Sequence, residues 1–201
     1  MVDRIATVIF ILIAFLIIGI LMVMLGFIFI RGLGHVSLSF LVSPPQTFRA
    51  GGGIGPQLFN SVYLLVLTML ITVPLGLGAG IYMSEYAKRG PVTHIIRTTV
   101  EVLSSLPSIV VGLFGLLVFV NYFGWGFSIF SGAVALTVFN LPLMVRITEQ
   151  ALQSVSPMQR EASLALGVSK WKTIVSVVLP GALPGILTGM ILAAGRVFGE
   201  A

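Results

Sequence analysis

The sequence predicts an all-α protein, a bundle of helices that cross a membrane, and its composition is the first reason. Of the 201 residues, 57% are hydrophobic and only 8% are charged, and the mean hydropathy is +1.12. A soluble domain needs more polar side chains than this to cover its surface. The second reason is that the apolar residues form runs long enough to cross a bilayer, which takes about 20 residues of helix.

Five apolar runs, each predicting one span, are separated by shorter polar segments: 5–30, 58–83, 100–120, 127–145 and 174–195. The first run is longer than the apolar core of a signal peptide and contains no clear cleavage site, so we expect a retained helix. No polar tail follows the last run. We therefore expect a truncated chain that lacks at least a sixth span.

Basic side chains set the expected orientation, because cytoplasmic loops are enriched in Lys and Arg. With the N-terminus inside, the internal segments 1–4, 84–99 and 146–173 hold eight basic residues, and the external segments hold only Arg31 and Arg49. We therefore expect a multi-pass membrane protein whose N-terminus is cytoplasmic.

Several function classes are excluded by what the chain lacks. It has no cysteine, and its two histidines, His35 and His94, are far apart, so no metal site is predicted. The net charge of +5 is scattered between apolar runs and forms no basic face, so no nucleic-acid partner is expected. No phosphate-binding Gly-Lys-Ser/Thr sequence occurs anywhere, so any ATP must be hydrolysed by another subunit.

Arg196 is the strongest candidate for a functional charge within a span. It lies about 24 Å along the helix from Pro180, and Glu200 follows one turn later. An arginine within the bilayer costs about 2.5–3.5 kcal/mol to insert and usually faces protein or a water-filled path. Its planar guanidinium suits phosphate oxygens, so one hypothesis is an anion-binding arginine that Glu200 holds in place. The alternative is a mutually neutralised structural pair.

Two further charges, Arg146 and Glu101, lie near predicted span ends. Arg146 is about 29 Å along its span, which puts it near the inner edge and places Arg146 and Arg196 towards opposite faces. Local ion pairs are the simplest interpretation, Arg146 with Glu149 and Glu101 with Arg97, since partners three or four residues apart share a helix face. A role for Arg146 in an anion path is the alternative.

Proline and glycine mark expected kinks and close helix contacts. Pro74 predicts a kink in the second span, and Gly76 and Gly80 predict a face that another helix approaches closely. In the third span, the segment 104–108 (Ser-Ser-Leu-Pro-Ser) either restores backbone hydrogen bonds at a kink or lines a polar path. In the last span a glycine stripe predicts tight packing: Gly181, Gly185 and Gly189.

The segment 160–180 carries the most specific pattern. Glu161 and Ala162 are followed by Gly167, and Leu179-Pro180 come twelve and thirteen residues after the glycine. This spacing resembles the EAA loop of ABC-importer permeases. Ser163 stands where that motif has its last Ala, and Val177 stands where it has Ile. Both departures preserve the size of the side chain.

Further segments resemble the PstA permeases of bacterial phosphate importers: 60–61, 74–86, 106–114, 146–149 and 196–200. The resemblance implies a MetI-like type I permease fold, here with five spans and the sixth missing. It implies one permease domain over 1–201, in which 1–57 form the N-terminal span and external loop and 58–201 form the core. The coupling loop then lies at about 155–173.

The resemblance also implies a function and partners. A PstA-like subunit works with a PstC-like permease, a PstB-like ATPase dimer that binds ATP and Mg²⁺, and an external phosphate-binding protein, all at a bacterial or archaeal cytoplasmic membrane surrounded by lipid. The permease itself is not an enzyme and carries no cofactor. Phosphate passes Arg146, Arg196 and Glu200, and the coupling loop docks on the ATPase through six residues: Glu161, Ala162, Gly167, Lys170, Trp171 and Lys172.

Three alternatives remain open. An ABC permease for molybdate, sulfate or phosphonate differs only in its solute. A secondary anion transporter driven by ions needs no ATPase, although the sequence offers no acidic pair within a span for proton coupling. A membrane scaffold without transport activity leaves the position of Arg196 unexplained.

Overall fold

The computed structural model describes residues 2–46, 51–88 and 90–200, and no β-strand occurs in these ranges. Arg49 and Arg89, which enter the charge count, lie outside them. The α-helices are α1 (Val2–Gly32), α2 (Leu38–Val42), α3 (Gly55–Ile81), α4 (Pro91–Ser104), α5 (Ser108–Gly115), α6 (Ile129–Gln153), α7 (Pro157–Ala165), α8 (Lys170–Thr173) and α9 (Leu179–Glu200). Wider π-helical turns follow three of them: Tyr82–Tyr86, Leu116–Tyr122 and Ile174–Val178.

The predicted all-α membrane fold is confirmed. Among the described residues, four helical stretches are long and apolar enough to cross a membrane: Arg4–His35, Gly55–Tyr86, Ile129–Gln153 and Lys170–Glu200. They match four of the five predicted spans. A fifth span arises if α4 and α5 are counted as one broken crossing.

The third predicted span, over residues 100–120, is broken at the Ser-Ser-Leu-Pro-Ser segment. α4 ends at Ser104, α5 starts at Ser108, and the two helices are bent by 98°. Pro107 has no N–H to donate into the preceding turn. The hydroxyls of Ser104 and Ser105 donate instead to the carbonyls of Glu101 and Val102, at 2.8 Å each. The serines therefore help to satisfy the carbonyls that the break leaves free.

The chain divides into two compact units, Met1–Phe59 and Asn60–Ala201. The prediction of a single permease domain stays a prediction. In the first unit, α1 exposes apolar side chains along its length, as a helix surrounded by lipid would. The glycine-rich stretch after α2 folds back on that helix, since the N–H of Ile54 donates to the carbonyl of Phe40 at 2.9 Å.

The second unit is built around α6, whose side chains form much of the buried core. α9 runs against it through the predicted glycine stripe: a Cβ on Gly185 would lie 2.9 Å from the Cβ of Ala151, and one on Gly189 would meet Ile147. Around this contact lies an apolar cluster: Met144, Ala151, Leu152, Val155, Val178, Ala182 and Ile186. The predicted close packing in the last span is therefore present.

The second close-packed face lies on α3. A Cβ on Gly76 would lie 2.5 Å from the side chain of Met144, and one on Gly80 would lie 2.5 Å from the Cβ of Thr148. The hydroxyl of Thr68 points to the carbonyl of Ala133 at 3.5 Å. α3 therefore contacts α6 at all three positions, and at the two glycines there is no space for a larger side chain.

Gly80→Ala is expected to destabilise the protein by about 1–3 kcal/mol, because the new methyl group overlaps Thr148. Gly78→Ala is the matched control, since no atom lies within 4 Å of its Cβ position on the same helix. Thermal unfolding of the two purified variants in detergent measures the difference. Equal midpoints would contradict the close contact of α3 with α6.

Candidate transport site and coupling loop

The coupling loop begins after α6 with α7, a helix for which the sequence contains both a start signal and a stop signal. Pro157 starts α7, where its missing N–H costs no hydrogen bond. At the other end the N–H of Gly167 donates to the carbonyl of Leu164 at 3.0 Å, and that of Val168 donates to Ser163 at 3.3 Å. This is a Schellman motif, which needs a left-handed residue, and Gly167 has φ of 77°. The glycine of the motif is therefore the residue that turns the chain towards α8.

Ser163, where the EAA motif has Ala, has a contact that the sequence analysis missed. Its hydroxyl lies 2.9 Å from that of Thr173, and both side chains are buried. The bond links the last turn of α7 to the end of α8. The serine therefore holds the two arms of the loop together in addition to preserving the size of the motif residue.

The outer face of the loop is exposed and partly apolar. Glu161, Ala162, Gly167, Trp171 and Lys172 are all exposed. Apolar side chains surround them, and the sequence analysis missed two of these: Met158 and Leu166, which are 76% and 83% exposed. Apolar side chains in a polar loop outside the spans were the signal that could have identified them. Such a patch is typical of a protein-docking surface.

Lys170, the sixth predicted docking residue, is engaged within the chain. Its Nζ lies 4.6 Å from the centroid of the Tyr86 ring and donates to the carbonyl of Glu85. Its ammonium group is therefore directed towards the end of α3.

Arg146 lies in a groove between α4 and α6, and its predicted local pairing is wrong. Its Nη2 is 3.3 Å from Oε1 of Glu101, and Arg97 in turn pairs with Glu149 at 2.6 Å. The partners are exchanged because α4 packs against α6 and brings each arginine to the carboxylate of the other helix. The groove encloses about 230 Å³, and polar side chains dominate its lining: Arg97, Glu101, Arg146, Glu149, Gln150 and Gln153.

Arg196, on α9, lies against a different part of α6. Its Cζ is 3.6 Å from the centroid of the buried Phe139 ring, and its Nε is 3.6 Å from Oε1 of Glu200. The predicted Arg196–Glu200 pair is therefore present, while Phe139 was missed. A cation over an aromatic face gains about 0.5–2 kcal/mol, so the ring helps to hold the guanidinium in this position.

Glu200 lines a cavity of about 380 Å³ with Ser108, Gly112, Ala135 and Leu136 among its walls. The break at Pro107 sets Ser108 at the start of α5 and at the edge of this space. Ser108 is thus the residue of the Ser-Ser-Leu-Pro-Ser segment that lines the same cavity as Glu200.

The two candidate arginines stand in separate spaces. Phe139, beneath Arg196, precedes Arg146 by seven residues of α6, which is about 10 Å along the helix axis. Counting residues along each span predicts that the two arginines lie near opposite faces of the bilayer. Their separation along α6 in the structure is shorter than that.

The family follows from the sequence match. Residues 73–201 match the family described as "Binding-protein-dependent transport system inner membrane component". The chain belongs to this family. It is therefore the membrane-spanning subunit of an ABC importer, a class of subunit that is generally non-catalytic.

The curated relatives confirm the resemblance to PstA permeases. The chain is 57% identical over 199 residues to the "Probable ABC transporter permease protein YqgI" of Bacillus subtilis (strain 168), covering 99% of this chain and 68% of the relative. It is 38% identical to the "Phosphate transport system permease protein PstA" of Xylella fastidiosa (strain 9a5c), covering 85% and 59%. The PstA of Mycobacterium leprae (strain TN) is 40% identical, with 78% and 50% covered. The chain thus spans one half to two thirds of these proteins.

Solved structures show the same fold. A structure of the inward-facing MetNI methionine ABC transporter aligns with a TM-score of 0.63 at 20% identity, covering 71% of this chain and 68% of that one. An amino acid ABC transporter aligns with a TM-score of 0.56 at 22% identity, covering 71% and 65%. The predicted MetI-like architecture is confirmed.

Proposed function

We propose that this permease carries inorganic phosphate inward across the bacterial cytoplasmic membrane, driven by ATP that a separate subunit hydrolyses. The observation that supports this choice of solute is Arg196, whose guanidinium lies over the Phe139 ring and pairs with Glu200, a residue that lines a cavity. A planar fork of donors suits the oxygens of phosphate. The PstA relatives named above support the same solute.

In this proposal the anion meets two stations in turn. At the first, an oxyanion displaces Glu200 from Arg196, since the 3.6 Å pair is long for a charge-assisted hydrogen bond. At the second, it competes with Glu101 for Arg146, whose carboxylate partner is largely exposed to water. Without a bound anion, the charge of each arginine is thus neutralised by its carboxylate partner. When the carboxylate moves away, the positive charge is available to the anion.

In this proposal the ATPase docks on the exposed face of the coupling loop and moves the loop. Glu161, Trp171 and Lys172, with Met158 and Leu166, present apolar and charged groups that a partner would cover. ATP binding closes the ATPase pair, draws the two coupling loops together and opens the spans outward, and hydrolysis resets them. The energy of the change comes from the greater affinity of ATP for the closed dimer.

The partners follow from this mechanism. A second, PstC-like permease completes the path, a PstB-like ATPase pair binds ATP and Mg²⁺ in the cytoplasm, and an external binding protein delivers phosphate. In this proposal the N-terminus is cytoplasmic, because that orientation places most of the basic residues in the internal segments.

The test is uptake of radiolabelled phosphate into vesicles that hold the permease pair, the ATPase and the binding protein. ATP-dependent uptake that unlabelled phosphate suppresses, and that molybdate, sulfate and phosphonate do not, is the expected result. Suppression by another oxyanion at lower concentration would reassign the solute. Uptake at the same rate without the ATPase would replace the proposal with an ion-coupled transporter.

A further inference from the structure

A partly buried ion pair joins the coupling loop to the turn that follows α3. Nη2 of Arg160, on α7, is 3.2 Å from Oε1 of Glu85, whose side chain is only 9% exposed. Arg160 also donates to the carbonyl of Leu152, near the end of α6. The arginine therefore bridges three elements, whereas its neighbour Glu161 faces outward.

The second arm of the loop, α8, contacts the same segment around Glu85. Lys170, at the start of α8, donates to the carbonyl of Glu85 and lies over the ring of Tyr86. The hydroxyl of Ser84 donates to the Glu85 carboxylate at 3.4 Å. Residues 84–86 are thus held from both α7 and α8. If the loop moves, it must either carry this segment with it or break the ion pair between Arg160 and Glu85.

Breaking the pair is costly, because a charge-assisted hydrogen bond is roughly twice as strong as a neutral one and the Glu85 carboxylate, which is 9% exposed, would lose its charged partner.

Residues 84–86 lie in the π-helical turn Tyr82–Tyr86, which continues α3. α3 contacts α6 without a gap at Gly76 and Gly80. Displacement of residues 84–86 therefore reaches α6, which carries Phe139 and Arg146, through direct contacts.

We propose that Glu85 and Arg160 form a strut that transmits movement of the coupling loop to α3, and through α3 to the anion path on α6. This inference rests on the proposed function. Glu85 and Arg160 are positioning residues: neither touches the anion or faces the docking surface. The strut and the docking surface therefore predict different defects when they are altered.

The first test uses Glu85→Gln, Arg160→Gln and the exchanged pair Glu85→Arg with Arg160→Glu in the reconstituted transporter. Lys88→Gln is the matched control, because it removes an exposed charge from the same segment. The single variants are expected to co-purify with the ATPase and to keep its basal hydrolysis. Their phosphate uptake, and the hydrolysis that the loaded binding protein stimulates, are expected to fall about fivefold or more, the range of a lost coupling between sites. The exchanged pair is expected to regain much of both.

Uptake by Glu85→Gln at the rate of the Lys88→Gln control would overturn the proposal. Loss of ATPase co-purification in the single variants would also overturn it, because it would make the pair part of the docking surface.

A second test follows the strut without measuring transport, and it keeps the proposal falsifiable if the exchanged pair does not fold. The chain has no cysteine, so Tyr86→Cys with Lys170→Cys forms one cross-linkable pair for a short bifunctional maleimide in the complex with the ATPase. With Glu85 intact, the cross-linking yield is expected to be the same without nucleotide and in an ATP-trapped state, because loop and helix move together. With Glu85→Gln the yield is expected to depend on nucleotide. A yield that changes with nucleotide while Glu85 is intact would overturn the strut.

The two tests separate the strut from the solute. Absence of phosphate uptake by the unaltered complex would count against the proposed solute, and the cross-linking result would still decide whether the strut exists.

Discussion

Glu161→Lys is expected to abolish ATP-driven uptake while the permease still inserts into the membrane. The side chain is exposed in the middle of α7, on the face that also presents Met158. Reversing a charge that a partner covers costs about 2–5 kcal/mol, which is about 30-fold or more in affinity for the ATPase. Because the fold does not use Glu161, stability and insertion are expected to be unchanged.

The measurement is co-purification with the ATPase together with uptake in vesicles. Lys88→Glu is the matched control, since it also reverses an exposed charge on the side of the membrane that we predict to be cytoplasmic. Gly167→Trp is expected to fail in the same way, because φ of 77° strains any other residue and a large side chain obstructs the docking face. Wild-type uptake by Glu161→Lys would refute the docking role.

Arg196→Lys is expected to reduce phosphate uptake about 100-fold, nearly as much as Arg196→Ala. Lysine keeps the charge but cannot lie flat on the Phe139 ring, donate to Glu200 and present two parallel donors to an anion at once. Two charge-assisted hydrogen bonds of about 1.5 kcal/mol each account for that factor.

The initial rate of uptake over a range of phosphate concentrations measures this effect. Thr188→Val is the control on the same helix, because the hydroxyl of Thr188 donates to the carbonyl of Pro184 at 2.9 Å and Thr188 lines neither of the two cavities described above. Rapid uptake by Arg196→Lys would show that charge alone suffices and that the planar fork has no role.

Much of the fold is predictable because each membrane span is one continuous stretch of apolar residues. Composition and run length are sufficient for α1, α3, α6 and α9. The sharp bend within the third span is not predictable from hydropathy, because hydropathy is averaged over a window and carries no information on the direction of a helix. Pro107 converts one apolar run into two helices, and the carbonyls of Glu101 and Val102 find serine hydroxyls that a hydropathy profile scores only as slightly polar.

The site divides in the same way. The Arg196–Glu200 pair is visible in sequence because its partners are four residues apart on one helix. The exchange of partners between Arg97 and Arg146 is not visible, since it depends on how α4 crosses α6. Glu85 and Arg160 are 75 residues apart in the chain, so only tertiary packing brings them together.

One π-helical turn has a consequence for how the chain tolerates changes in length. Ile174–Val178 lies inside the helical stretch Lys170–Glu200, between α8 and α9, and the N–H of Leu179 there donates to the carbonyl of Ile174, five residues back. The turn therefore holds one residue more than an α-helix needs. Loss of a residue there returns the helix to ordinary winding and keeps the faces of α8 and α9 aligned, whereas the same loss elsewhere in the stretch rotates every later side chain by about 100°. This turn is the place where that membrane helix can be shortened by a deletion without misaligning its packing surfaces.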